Sequence, residues 1–364
     1  MNNVFGYLKE YGGFTFSQKK FCDVDALVLA QFSYLKVDGM VPRLREGAEA
    51  VTLRSLSEHP DREKMFADER YAENNRRLFA MMYKSVRFRD IRMNDYVSIT
   101  DEQIGTQFAA MVITLRENLH YVAFRGTDET IVGWKEDFCM AFTGTIPSQD
   151  YSVIYLTRVA DKTEGVFFVG GHSKGGNLAV YATLRCPEDI GARIRRIYSF
   201  DAPGFRPGAL DKECYEKIFR KTRRWIPQAC VVGMMLQYEG RYRVVQSTAT
   251  GLLQHDPFSW MIEQGRFVQL RALDKRQRRM DGALNAWIMD MTDVQIRRFV
   301  ENLFQILYAT ETDNLIELFK HRKKSIGHMF TAYKKMEPEE KRFMRRMLGR
   351  LFVVQSDWLL HGKK

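Results

Sequence analysis

The chain has 364 residues, 45% of them hydrophobic and 13% aromatic. This is enough for one large α/β domain plus an extension, or for two domains, and too apolar for a disordered chain. The net charge of +11 favours anionic surfaces, either acidic lipid or nucleic acid, without deciding the fold. Cys22, Cys139, Cys186, Cys214 and Cys230 are scattered, odd in number and never spaced C-x-x-C. That pattern argues against a disulfide framework and a zinc site, and makes a reducing cytoplasm the expected home. After Met1 no basic segment leads into a long apolar run, and no apolar run approaches a membrane-spanning length, so neither a signal peptide nor a spanning helix is expected.

In chain order, Tyr7–Phe16 is rich in glycine and aromatics, and Asp23–Leu35 carries a helical apolar face with aspartates near its start. Residues 41–63 read as a loop and a short helix, and Arg62–Tyr83 as a charged helix. Phe108–Leu115 and Tyr121–Phe124, joined by a polar turn at Glu117-Asn118, read as a hairpin that leads into Arg125-Gly126-Thr127-Asp128. Helices are expected over Trp134–Phe142 and Tyr151–Lys162, and a buried strand over Val166–Gly170. Arg196–Phe200 is a further strand, and Cys230–Leu236 with Tyr242–Ser247 reads as a strand pair around Glu239-Gly240. Strands alternating with helices predict an α/β sheet with helices on its faces. Beyond Arg276 only helical periodicity remains, over Gly282–Met289, Thr292–Thr310, Asp313–Lys324 and Pro338–Phe352. The expected division is an α/β domain over 1–275 and a basic helical region over 276–364. Lys320–Arg350 holds 11 Lys/Arg against 3 Asp/Glu, a net +8. This is either a solvated helix face or a membrane-docking surface built around Phe343, Met344 and Leu348.

The stretch that organises the chain is Val166–Val180, VFFVGGHSKGGNLAV. Gly171-His172-Ser173-Lys174-Gly175 fits G-x-S-x-G between a strand and a small-residue helix, the setting of a nucleophile elbow. A serine hydroxyl attacks only when a base takes its proton, and the base needs a carboxylate to orient it. After Ser173 the histidines are His255, His321, His328 and His361, the last three in the basic helical region. His255 follows the last expected strand and is the expected base. Asp201 ends the strand after the elbow helix and is the expected acid, unless it serves only to shape the Pro203-Gly204 turn. Asp256 adjoins His255 and so reaches its ring nitrogen poorly. His172 is expected to support the elbow turn by packing or a hydrogen bond. The oxyanion donors are expected to be the backbone N–H of Lys174 and Thr127, whose loop could offer both amide and hydroxyl. The other reading of that loop is a polar turn whose arginine makes an ion pair.

Taken together, Phe124-Arg125-Gly126-Thr127, Gly133-Trp134 with Asp137, and Gly171–Gly176 resemble the class 3 triacylglycerol lipases. With Asp25-Ala26-Leu27, Arg125–Asp128, Asp201–Gly204 and His255-Asp256 before Trp260, the set resembles more closely a family of bacterial lipase-like α/β-hydrolases of undefined function. The resemblance spans about residues 5–265 and implies the α/β-hydrolase fold, a Ser173 nucleophile, a His255 base and an oxyanion hole at Thr127 and Lys174. Two departures stand out. Class 3 lipases usually take their acid after the next strand, but Pro227–Gly233 has no carboxylate; Asp201 instead resembles the placement in pancreatic-type lipases. Where lipases commonly have leucine after the serine, this chain has Lys174, which either attracts an anionic substrate or points to solvent. The expectation is a cytoplasmic carboxylic ester hydrolase, acting on an ester or lipid-like small molecule without metal or organic cofactor. Peripheral contact with an anionic membrane is a further expectation. Nucleic acid is disfavoured as a partner because no finger, homeodomain or RNP-type motif is present. The rival expectation is a non-catalytic binding or membrane-surface scaffold on the same fold.

Overall fold

Period-two alternation of apolar side chains builds the centre of the molecule. In strand β3 (Thr106–Arg116), Met111 and Ile113 join one buried cluster, while Phe108, Ala110 and Val112 join another. In β4 (Leu119–Phe124), Tyr121 and Ala123 divide from Val122 and Phe124 in the same way. A sheet that buries both faces must be covered by helices on both sides. Val4–Tyr11, Asp23–Phe32 and Ala72–Lys84 cover the first face, and Pro147–Lys162 and Lys174–Arg185 the second. The computed structural model describes residues 2–68, 71–128, 130–206, 208–210, 212–229, 231–238, 240–310 and 322–360.

The remaining strands are β1 (Val51–Thr52), β2 (Arg92–Asp101), β5 (Val166–His172), β6 (Ile194–Phe200), β7 (Thr222–Pro227), β8 (Arg243–Val245), β9 (Ile262–Glu263), β10 (Arg266–Phe267) and β11 (Gln269–Leu270). The large sheet runs in the order β1-β2-β3-β4-β5-β6-β7-β8-β11, and β9 and β10 form a separate pair. Pairing is antiparallel from β1 to β4, parallel from β4 to β8, and antiparallel again at β11. A parallel centre wound with helices, edged by antiparallel strands, is the α/β-hydrolase fold. Its site-bearing loops leave the carboxyl ends of β4, β5 and β6.

The hairpin expected between residues 108 and 124 is present as β3 and β4. Three expectations are corrected. Val231–Leu236 is not a strand: Val232–Met234 forms a 3-10 turn, and the neighbour of β6 is β7, a strand the sequence reading did not place. Second, β2 was missed. Its alternation is broken by a bulge between Asn94 and Val97, with Asp95 at φ +58°, so the two-residue period fails in the middle of the strand. Third, Phe343 and Met344 do not face outward; they are 8% and 4% exposed inside the helical cluster, and only Leu348 of the trio is exposed. Cys230 and Glu239, with His321, His361 and most of the helix expected over Asp313–Lys324, lie outside the described residues.

Beyond β11 the chain is helical, over Lys275–Met289, Asp293–Tyr308, Arg322–Lys335 and Pro338–Leu360. Trp287, Phe299, Phe304, Phe343, Met344 and Met347 form its core together with Ile131 and Phe142 from the α/β region. These helices therefore share a core with the helix Ile131–Cys139, close to the loop after β4.

Candidate active site

Buried β5 ends at His172, and the helix Lys174–Arg185 begins one residue after Ser173. Ser173 makes the turn with φ +56° and ψ −134°, a backbone region sparsely populated by L-residues. The flanking glycines serve a different purpose: they let backbones touch. A Cβ on Gly171 would lie 2.4 Å from the Phe124 carbonyl oxygen, and one on Gly175 would lie 2.2 Å from the same atom. Gly126 is packed in the same way, since its Cβ would meet Tyr34 Oη at 2.1 Å and Ser173 Cβ at 3.1 Å. The loop carrying Thr127 therefore runs directly against the serine.

Three distant side chains meet at this turn. Ser173 Oγ lies 3.0 Å from His255 Nε2, and His255 Nδ1 lies 2.7 Å from Asp201 Oδ2. Because an ionised carboxylate only accepts, Nδ1 carries the proton and donates to Asp201, which leaves Nε2 to accept from the serine hydroxyl. Asp201 follows β6 at φ +44° and is 1% exposed. Its amide donates to the Trp225 carbonyl on β7 (2.8 Å), and its Oδ1 accepts from the Gly233 amide (3.1 Å). Shaping the turn and holding the imidazole are thus done by one residue. Asp256 instead caps the turn after it, accepting from the Phe258 amide at 2.9 Å.

His172 supports the loop that carries His255. Its Nε2 lies 2.9 Å from the His255 carbonyl oxygen and its Nδ1 3.0 Å from Tyr34 Oη, and the two imidazoles sit 4.5 Å apart. A carbonyl can only accept, so Nε2 donates to it and Tyr34 donates to Nδ1. Trp260 completes the support: its Nε1 donates to the Gln254 carbonyl at 2.8 Å.

Thr127 and Lys174 are both buried, at 3% and 1% exposed. Lys174 is the first residue of its helix, and amides of a first turn have no intrahelical carbonyl to bond. The Thr127 hydroxyl is engaged, donating to Asp137 Oδ2 at 2.6 Å. Arg125 bonds Tyr96 Oη at 3.5 Å and Ser98 Oγ at 3.3 Å, fastening the loop to β2. Asp128 pairs with Lys36 at 2.6 Å. Burial pushes the Asp128 carboxyl pKa up, but the nearby Lys36 and Arg125 charges outweigh burial and hold it below the usual range.

The side chain of Lys174 corrects the sequence expectation. It neither faces solvent nor awaits an anionic substrate, because its ammonium pairs with the buried Glu136 carboxylate at 2.8 Å. Burial raises the Glu136 pKa, and Lys174 with the surrounding hydrogen bonds reverses this to a net lowering. Asp137 is dominated by burial, which lifts its carboxyl to about 6 against the opposing pull of Lys174 and Thr127. Glu136, Tyr34 and Gln107 were not singled out from sequence; each is distant along the chain from the residue it supports, and only the fold brings them together. Among the described residues, no group of three His, Cys, Asp or Glu side chains is placed to hold a metal ion.

The model of the Mbeg1-like family matches residues 82–305 of this chain, more than half of its length. The chain belongs to the Mbeg1-like family. The match takes in Thr127, Ser173, Asp201 and His255, and it runs past β11 into the first two helices of the C-terminal region. No curated protein matches the sequence. Among solved structures, M37 lipase is 15% identical, with 59% of this chain and 70% of that one aligned at a TM-score of 0.37. The lipase from Rhizopus microsporus var. chinensis is also 15% identical, with 64% of this chain and 91% of that one aligned at 0.29.

Proposed function

We propose that this Mbeg1-like protein is a serine hydrolase that cleaves carboxylic esters. The supporting observation is the continuous hydrogen-bonded chain from Ser173 through His255 to Asp201, at 3.0 and 2.7 Å, both within the reach that proton transfer requires. In this reading His255 Nε2 removes the Ser173 proton as Oγ attacks the ester carbonyl carbon. Asp201 holds the tautomer and stabilises the imidazolium. The tetrahedral oxyanion is met by the amides of Lys174 and Thr127, each such donor contributing roughly 3 kcal/mol of barrier lowering. The imidazolium then protonates the leaving alcohol, and water, deprotonated by the same imidazole, releases the acid and restores Ser173.

The substrate class we favour is a small or lipid-like ester, and the setting a cytoplasmic one; Cys22, Cys139 and Cys186 are all free thiols. Among the described residues no helix is long and apolar enough to cross a membrane. Contact with an anionic membrane surface would fall to the basic C-terminal helices, where Ile326 and Phe330 are 58% and 56% exposed.

Hydrolysis of a nitrophenyl ester series by purified variants tests the reading. Ser173→Ala and His255→Ala are expected to lose at least ~10³-fold in kcat, and Asp201→Asn about as much through loss of the correct tautomer. Asp256→Asn, which can still cap its turn, is expected to stay within a few-fold of wild type. Equal rates in wild type and Ser173→Ala would end the proposal and leave a binding role for the fold.

A further inference from the structure

We propose that Glu136 and Lys174 form a positioning pair that locks the two sides of the oxyanion site to each other; this rests on the hydrolase reading above. Lys174 is the residue whose amide is assigned to the oxyanion, and its side chain leads away from the site into the protein. There Nζ donates to the Gln107 carbonyl (2.7 Å), to Gln107 Oε1 (3.2 Å) and to Glu136 Oε2 (2.8 Å). An ammonium has three protons, so all of its donors are used. The Glu136 carboxylate is equally committed. Its Oε1 accepts from Thr106 Oγ1 (2.7 Å) and the Ser148 amide (3.0 Å), and its Oε2 from the Gln107 amide (3.1 Å) as well as from Lys174.

One carboxylate thus joins the start of β3, the first turn of Pro147–Lys162 and the first turn of the elbow helix. The next residue on the same helix, Asp137, grips the Thr127 hydroxyl. Two consecutive carboxylates on Ile131–Cys139 therefore hold the two residues whose amides are assigned to the oxyanion, one each. The pair is a placement device rather than a source of attraction, because the ammonium is neutralised by a partner beside it and both side chains are almost fully buried. Taking two charges out of water is costly, and an apolar pair of similar size would often fold as well or better. What the charged pair adds is direction, through short hydrogen bonds of fixed geometry.

Breaking the pair should harm the transition state and spare ground-state binding, since an oxyanion donor displaced by about 1 Å loses most of its effect. The experiment compares wild type, Lys174→Met, Glu136→Gln and the double variant. The readings are kcat and KM for a nitrophenyl ester, the inhibition constant of an alkyl trifluoromethyl ketone that forms a serine hemiketal oxyanion, and folding by circular dichroism. Each single variant is expected to lose at least ~10-fold in kcat, to bind the ketone weaker by a similar factor, and to keep KM within about 2-fold. The double variant is expected to be no worse than the more damaged single, because both members act as one unit. Should Lys174→Met fail to fold, Glu136→Gln, which keeps the shape and an acceptor oxygen, decides alone. Folded variants with kcat and ketone affinity within 2-fold of wild type, or with only KM changed, overturn the proposal. A wild type that neither hydrolyses ester nor reacts with a fluorophosphonate removes the hydrolase reading itself, and the pair's role with it.

Discussion

Ser173 occupies φ +56° and ψ −134° with a side chain attached, a conformation that costs on the order of 1–3 kcal/mol in L-residues. The surrounding contacts enforce it: Gly126, Gly171 and Gly175 bring neighbouring backbones too close for the turn to relax. Replacing Ser173 with glycine should therefore stabilise the fold by roughly 1 kcal/mol in urea unfolding, while removing the hydroxyl. A Ser173→Gly protein less stable than wild type would contradict stored strain. Gly126→Ala should do the opposite, because its new methyl meets Tyr34 Oη and the His172 carbonyl below 3 Å; loss of both stability and ester turnover is expected. At this scale much of the site was legible. Only a small flanking residue fits G-x-S-x-G, and of the four histidines after Ser173 only His255 precedes the basic helical region. The direction of the Lys174 side chain was not legible, because its partner Glu136 lies 38 positions away on an element of its own.

The helix Ile131–Cys139 is the element on which the site leans, and its buried Asp137 gives it a pH signature. Burial lifts that carboxyl to about 6 from an ordinary value of 3.8. The folded protein therefore holds the proton more tightly than the unfolded chain does. The sign follows: the stabilisation is complete below pH ~4 and is lost as pH rises through about 6, by up to ~3 kcal/mol. Urea midpoints measured from pH 4.5 to 7.5 should show this loss in wild type and a reduced loss in Asp137→Asn; identical profiles would contradict it. Elements were read well where the period was intact, as in β3, β4, β5 and the elbow helix. They were misread where tertiary demands overrode the pattern. β7 begins Thr222-Arg223-Arg224 and shows an apolar run only at its end. The apolar stretch Val231–Leu236 bends into a 3-10 turn, whose Gly233 amide is used to hold Asp201.

Across the whole molecule, the C-terminal helices are built onto the site-bearing region rather than hung from it. Phe304 packs edge-on against Phe138 at 5.6 Å, and Asn285 exchanges hydrogen bonds with Leu236 (2.8 Å) and Met234 (2.7 Å). A chain ending before Lys275 would leave Ile131 and Phe142 without the side chains that bury them. Such a truncation should lower the thermal midpoint and weaken ester turnover, whatever the membrane contribution proves to be. If the same helices meet anionic lipid, the full chain should bind phosphatidylserine vesicles with a strength that falls between 0.05 and 0.3 M salt; salt-independent binding would point away from the basic face. The charge of these helices was evident from sequence, but which apolar residues stay outside was not. Phe343 and Met344 seal the bundle, while Ile326 and Phe330 remain exposed. The measurement that bears most directly on the central claim is peptide mapping by mass spectrometry after treatment with a fluorophosphonate. One adduct is expected, on the peptide containing Ser173, absent in Ser173→Ala and strongly reduced in His255→Ala. A folded wild-type protein that takes up no reagent, or takes it up on another residue, would contradict it.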